Sequence, residues 1–229
     1  MDINKKPESA TGQGNELAFN ASRRQFFQMA GGLAGAGLLI ASCRRTPPSD
    51  TYLGAGDVAL LNYLYVLKQV TVAFYTQAVA TPYYGITQSE LELQTDLRDQ
   101  EVAHREFLKK LLGADAVKTV TTQLSLVTYA DKSSFLTNAS NLEDISAAAY
   151  PGVIKLLKDQ SYIAPLSKMC AADGRHAGYV REVLTHNYFY SSGNLDSNAL
   201  NWVISPALGM ARLGDYLETR FDTSKLPTF

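Results

Sequence analysis

Two short strings constrain this chain more than any other feature. Glu101-x-x-His104 and Asp173-x-x-His176 each place an acid and a histidine three residues apart, and positions i and i+3 share one face of a helix. Leu93, Leu97, Leu108 and Leu111 recur at helical steps around the first string; Leu166, Met169, Val180 and Leu184 do so around the second. Each acid and histidine therefore interrupts an apolar stripe that should face inward. With 22 acidic residues in 229, an acid falls three places before a given histidine about one time in ten. Two of the three histidines do so here, both on inward faces.

The flanking sequence also reads as helix. A first helix is predicted over Asp57 to Ala80, with an apolar stripe of Leu60, Leu64, Leu67, Val70, Phe74 and Ala78, stopped by Thr81-Pro82 and a turn at Gly85. A second runs from Thr87 or Ser89 to Leu112, with Ser89 as candidate cap, Glu90 and Glu92 at its positive end, and Gly113 as its stop. Residues 114–132 form a connection with a β-branched patch. A third helix begins near Ser133 or Ser134 and passes Tyr150, where Pro151-Gly152 predicts a kink or break. The fourth spans about Ser161 to Asn187, with Pro165 in its first turns. Ala199 to Leu217 reads as one or two shorter helices around Pro206, and the final FDTSKLPTF as a loose end. The expected fold is all-α: an up-down four-helix bundle with a long crossover and short C-terminal helices.

The two halves echo each other. KQVTVAFY (68–75) and EDISAAAY (143–150) both end in Tyr seven places after the first residue, and each precedes one acid-x-x-His string by about 30 residues. A di-metal carboxylate site in a bundle is laid out this way, with a carboxylate from each of two helices and acid-x-x-His from each of the others. Carboxylate oxygen and imidazole suit iron, manganese or zinc. Glu101, His104, Glu143, Asp173 and His176 are the candidate ligands. Tyr75 and Tyr150 are either hydrogen-bond donors to them or packing residues. His186 lacks an acid at that spacing and reads as a helix-end histidine. Lys68 sits in the position that Glu143 holds in the other half. An ammonium there brings positive charge where anionic ligands are needed.

The strings LNYLYVLKQVTVAFYTQA, QEVAHREFLKKLLG, LEDISAAAYPG and DGRHAGYVREVL resemble the bacterial ferritin-like domain family, in particular its desiccation-related members, over residues 56–187. The resemblance implies a ferritin-like bundle in which Glu101, His104, Glu143 and His176 are ligands. Asp173 stands where Glu is usual, and Lys68 where a ligand Glu is expected. Two functional readings stand side by side. In the first, the protein binds iron, manganese or zinc in the bundle core and has a stress role in the cell envelope. In the alternative, it is a noncatalytic helical envelope protein with a degenerate site, Lys68 replacing a ligand carboxylate through a salt bridge to Glu101 or Glu143. Whether it is an enzyme is left open.

The leader carries separate signals. Ser22-Arg23-Arg24-Gln25-Phe26-Phe27 resembles a twin-arginine export signal, and Ile40-Ala41-Ser42-Cys43 resembles a lipobox. The apolar run between them, Met29 to Ala41, is shorter than the roughly 20 residues a membrane helix needs. The expected organisation is a signal peptide over 1–42, a lipidated tether over 43–55, the bundle over 56–190 and a C-terminal extension over 191–229. Acylated Cys43 would anchor the protein to a membrane, facing the periplasm. A formal net charge of −1 argues against nucleic acid as a partner. An anchored N-terminus hinders a closed shell, so a monomer or small oligomer is expected rather than a ferritin cage. Cys170 reads as a buried thiol.

Overall fold

Four long helices carry most of the computed structural model, which describes residues 50–190 and 194–229. They are α1 (Gly56–Ala80), α2 (Gln88–Leu112), α3 (Lys132–Ile154) and α4 (Ile163–Leu184), followed by a short α5 (Pro206–Leu213). They pack as an up-down bundle, α1 chiefly on α2 and α3 chiefly on α4, with α1 also meeting α3. The twin-arginine string, the lipobox and Cys43 lie outside the described residues.

Local chemistry sets the helix ends. Thr87, not Ser89, caps α2: its hydroxyl accepts from the Glu90 N–H, and the Glu90 carboxylate accepts from the Thr87 N–H at 2.9 Å. This reciprocal pair is a capping box; Ser89-x-x-Glu92 has the same spacing, but the helix starts at Gln88 and leaves Ser89 inside its first turn. Gly113 closes α2 at φ +56°, a conformation that side chains resist. Asp131 caps α3 through the Ser134 N–H. A single 3₁₀ turn, Gln160–Tyr162, precedes α4, which is shorter at both ends than the sequence suggests. Ser205 caps α5, with Pro206 at its first position.

Pro151-Gly152 does not break α3, which continues to Ile154. The pair marks a docking point instead. A Cβ on Gly152 would lie 2.0 Å from the Ile204 carbonyl oxygen, and the Ile204 N–H donates to the Ala148 carbonyl at 3.2 Å. The missing side chain thus lets the C-terminal segment settle on α3.

The single apolar stripe expected of α1 is also revised. From Ala59 to Val72 every residue is buried. Such a helix is long and apolar enough to cross a membrane, yet here it is the packed centre, as a helix apolar all round must be. The crossover 113–131 runs over its outer side. Asn62 donates to the Leu53 and Asp115 carbonyls and accepts from the Val117 N–H, while Gln69 accepts from the Val120 N–H. These amides satisfy backbone groups that the crossover would otherwise bury unpaired. The C-terminal residues are not loose: β2 (Phe221–Asp222) pairs in parallel with β1 (Thr51–Tyr52).

Candidate metal centre and its buried lysine

α2 and α4 turn their acid-x-x-His strings toward each other, and α1 and α3 close the space between them. Glu101, Glu143, Asp173 and Lys68 are all fully buried; His176 is 8% exposed and His104 nearly as enclosed. The structure therefore brings together all five candidate ligands, and the lysine with them.

Two sets of donor atoms converge. One atom each of Glu101, His104 and Asp173 lie within 4.8 Å of one another, as do one each of Glu101, Glu143 and His176. Glu101 is common to both. Buried Glu101 Oε1, Glu143 Oε2, Asp173 Oδ1 and the Nδ1 atoms of His104 and His176 have no hydrogen-bond partner. Taken alone, that convergence is the outline of a two-metal site.

The lysine changes the chemistry. Lys68 Nζ lies 2.7 Å from Glu101 Oε2, pairs closely with Asp173 Oδ2, and reaches the Ser146 hydroxyl at 3.4 Å. Glu101 Oε2 also accepts from the Thr71 hydroxyl at 2.7 Å. One oxygen of each acid in the two motifs is thus committed to the ammonium. Burial alone would lower the pKa of Lys68, but Asp173 and Glu101 outweigh it and hold the group well above its usual value. It stays charged. A dication about 4 Å from that nitrogen would be repelled by about 8 kcal/mol at an effective dielectric of about 20.

His176 adds a second positive charge. Burial disfavours its imidazolium, yet the Glu101 and Glu143 carboxylates facing it lift the pKa to about 10. Nδ1 faces Glu101 Oε1 at 3.4 Å and Glu143 Oε2 at 3.7 Å, and Nε2 meets Gln100 Oε1 at 2.9 Å. Both ring nitrogens face acceptors, which suits the doubly protonated ring; a metal ligand needs a free lone pair. His104 Nδ1 lies 3.2 Å from Asp173 Oδ1. Burial raises the pKa of Glu101, but Lys68 and the two histidines override it and hold the carboxyl below its usual range. Glu143 is pushed up, by burial first and by Glu101 as well, and accepts from the Tyr75 hydroxyl at 2.7 Å.

The donor atoms therefore fit a metal in position but not in charge. The Lys68 ammonium and the His176 imidazolium already balance two of the three buried carboxylates, and the reading of the core as an iron, manganese or zinc site is overturned. The salt bridge expected from Lys68 to Glu101 or Glu143 forms to Glu101 and Asp173.

Among the tyrosines, Tyr75 is a donor, whereas Tyr150 presents its ring to Lys68 Nζ at 5.6 Å from the centroid, with its hydroxyl unpartnered. Thr71, Ser146 and Gln100 escaped the sequence reading. Thr71 and Ser146 stand three residues after Lys68 and Glu143, a repeat spacing that marks them in hindsight; nothing marked Gln100. His186 is exposed and pairs with Glu182 at 2.8 Å. Cys170 is a half-buried free thiol whose pKa burial raises, so it carries little thiolate.

No curated protein matches the chain. Residues 56–186, which hold α1 to α4 and every residue of the cluster, match the family described as ferritin-like domain. By its bundle and by this match, the chain belongs to the ferritin-like domain family.

Proposed function

We propose that this is a noncatalytic ferritin-like protein of the cell envelope, whose core has exchanged its metal for the ammonium of Lys68. The carrying observation is the commitment of Glu101 and Asp173, one from each acid-x-x-His motif, to a fully buried lysine. Metal-based redox chemistry needs a bound metal with open positions; an ion cluster built on a buried lysine supplies neither. The protein then acts through its surface. The twin-arginine string and the lipobox support export and anchoring through acylated Cys43, facing the periplasm. The resemblance of its strings to desiccation-related proteins supports a protective rather than a chemical role. A monomer or small oligomer suits an anchored chain.

Thermal melting with iron(II), manganese(II) or zinc(II) tests the core of this reading, because a ligand that binds only the folded state raises the melting temperature. The wild-type melting temperature should not move. Lys68→Glu, which restores a carboxylate, should melt lower without metal and recover when metal is added. A saturable, metal-specific rise in the wild type would overturn the proposal. The anchoring is tested by Cys43→Ser, expected to shift the protein from the membrane to the soluble fraction; an unchanged distribution would count against it.

A further inference from the structure

A second site lies away from the ion cluster, where the C-terminal segment crosses α3 and α4. It is a cleft of about 380 Å³, within the range of small-ligand sites. Its floor is made of small residues, Ala147 and Ala148 of α3 and Gly174 and Ala177 of α4.

Its walls are held in place. Arg181 of α4 pairs with Asp144 of α3, and Arg181 Nε donates to the Phe189 carbonyl at 3.1 Å. The Phe189 ring lies where a Cβ on Gly178 would be, 2.7 Å from that position. The chain after α4 is thereby strapped back onto its own helix. Trp202 also lines the cleft, its indole N–H donating to the Leu195 carbonyl at 3.1 Å and its backbone N–H to the Asn194 carbonyl at 3.0 Å. The indole's polar edge is thus committed, while the residue remains 43% exposed. An aromatic face fixed by its own hydrogen bonds and left in solvent is available for stacking.

The polar groups are balanced in sign. Arg181 is neutralised by Asp144. Arg212 and Asp215 also line the cleft, and neither forms a salt bridge among the described residues. Asn141 and Asn201 add amides that donate and accept. Such a lining offers no net charge to hold an anion or a cation. It offers paired donors and acceptors beside an aromatic face, which complement the vicinal hydroxyls and the C–H face of a sugar ring.

We infer that this cleft binds a neutral saccharide of one or two rings, stacked on Trp202 and hydrogen-bonded by Asn201, Arg212 and Asp215. The inference does not depend on whether the core holds a metal.

Trp202 is the chain's single tryptophan, so fluorescence excited selectively at tryptophan reports on this cleft. The full-length protein would be titrated with glucose, N-acetylglucosamine and trehalose, followed by tryptophan fluorescence and by saturation-transfer NMR. At least one sugar should give a saturable response. Asp215→Ala should weaken it at least about tenfold, as loss of a hydrogen bond to a charged group does, with the far-ultraviolet circular dichroism unchanged. Because Asp215 is exposed, this variant should fold; Asn201→Ala provides a second, independent replacement. Three results would overturn the inference: no saturable response by either method up to about 100 mM sugar, a dissociation constant too weak for a built site; saturable binding of inorganic phosphate or glutamate with none of neutral sugars; or sugar binding that neither variant weakens.

Discussion

The two halves of the bundle hold opposite charges at matching positions. α1 supplies Lys68 where α3 supplies Glu143. Around that swap the repeat survives. Thr71 and Ser146, each one turn later, both point into the cluster, one donating to Glu101 and the other meeting Lys68. Tyr75 of the first half donates to Glu143 of the second, and Tyr150 of the second lays its ring beside Lys68 of the first. The comparison teaches that a single position separates the two kinds of site. A carboxylate on both sides leaves an excess of negative charge that a metal must balance. A lysine on one side turns one of four negative charges positive, and the proton held at His176 leaves three carboxylates facing two cations.

The largest way to break this comparison is to remove the swap without restoring a carboxylate. Lys68→Met leaves Glu101 and Asp173 buried without their partner, a change that costs about 3–5 kcal/mol. Chemical denaturation in metal-free buffer should register it. Next come the matched tyrosines. Tyr75→Phe strips Glu143 of its donor and should cost about 1–3 kcal/mol, whereas Tyr150→Phe removes a buried hydroxyl that has no partner and should be near neutral or stabilising. Equal effects would mean that the halves are not differentiated as described.

The repeat also pairs Gly152 of α3 with Gln77 of α1, and only the first has a chain docked on it. Gly152→Ala drives a methyl into the Ile204 carbonyl and should cost about 1–3 kcal/mol. Gln77→Ala, at an exposed position, should fall within about 0.5 kcal/mol of wild type. Denaturation midpoints compare the two.

The proton at His176 allows a separate comparison, through pH. His176 has a folded pKa raised from 6.5 to about 10. A raised pKa contributes stability that is fully present below the unfolded value and is lost as pH rises through the folded one. Stability should therefore decline between about pH 6.5 and 10, and Glu143, also raised, acts in the same direction. Denaturation midpoints measured across that window should fall, and His176→Gln should flatten the slope.

Much of this was legible in the sequence, because periodicity and spacing are local properties. Four helices, the long crossover and the inward acid-x-x-His faces follow from the 3.6-residue repeat of Leu, Glu and His. The conflict at Lys68 is legible too, as a cation at a ligand position. Which second acid it meets is not, since Asp173 and Glu143 lie on different helices and only their packing brings one of them to the ammonium. Pro151-Gly152 reads locally as a break, and only Ile204, some fifty residues away, shows it to be a docking point. The burial of α1 on all sides likewise depends on where the crossover lies, which its β-branched residues do not state. The cleft at Trp202 is assembled from α3, α4 and the C-terminal segment, and no single stretch announces it.

The most direct test of the central claim is elemental mass spectrometry of the full-length protein, produced in metal-replete medium without a metal-binding tag. The Lys68 ammonium occupying the cation's place predicts a folded protein with no stoichiometric iron, manganese or zinc. One or two equivalents of any of these metals, lost when Glu101 and His104 are replaced together by Ala, would contradict it.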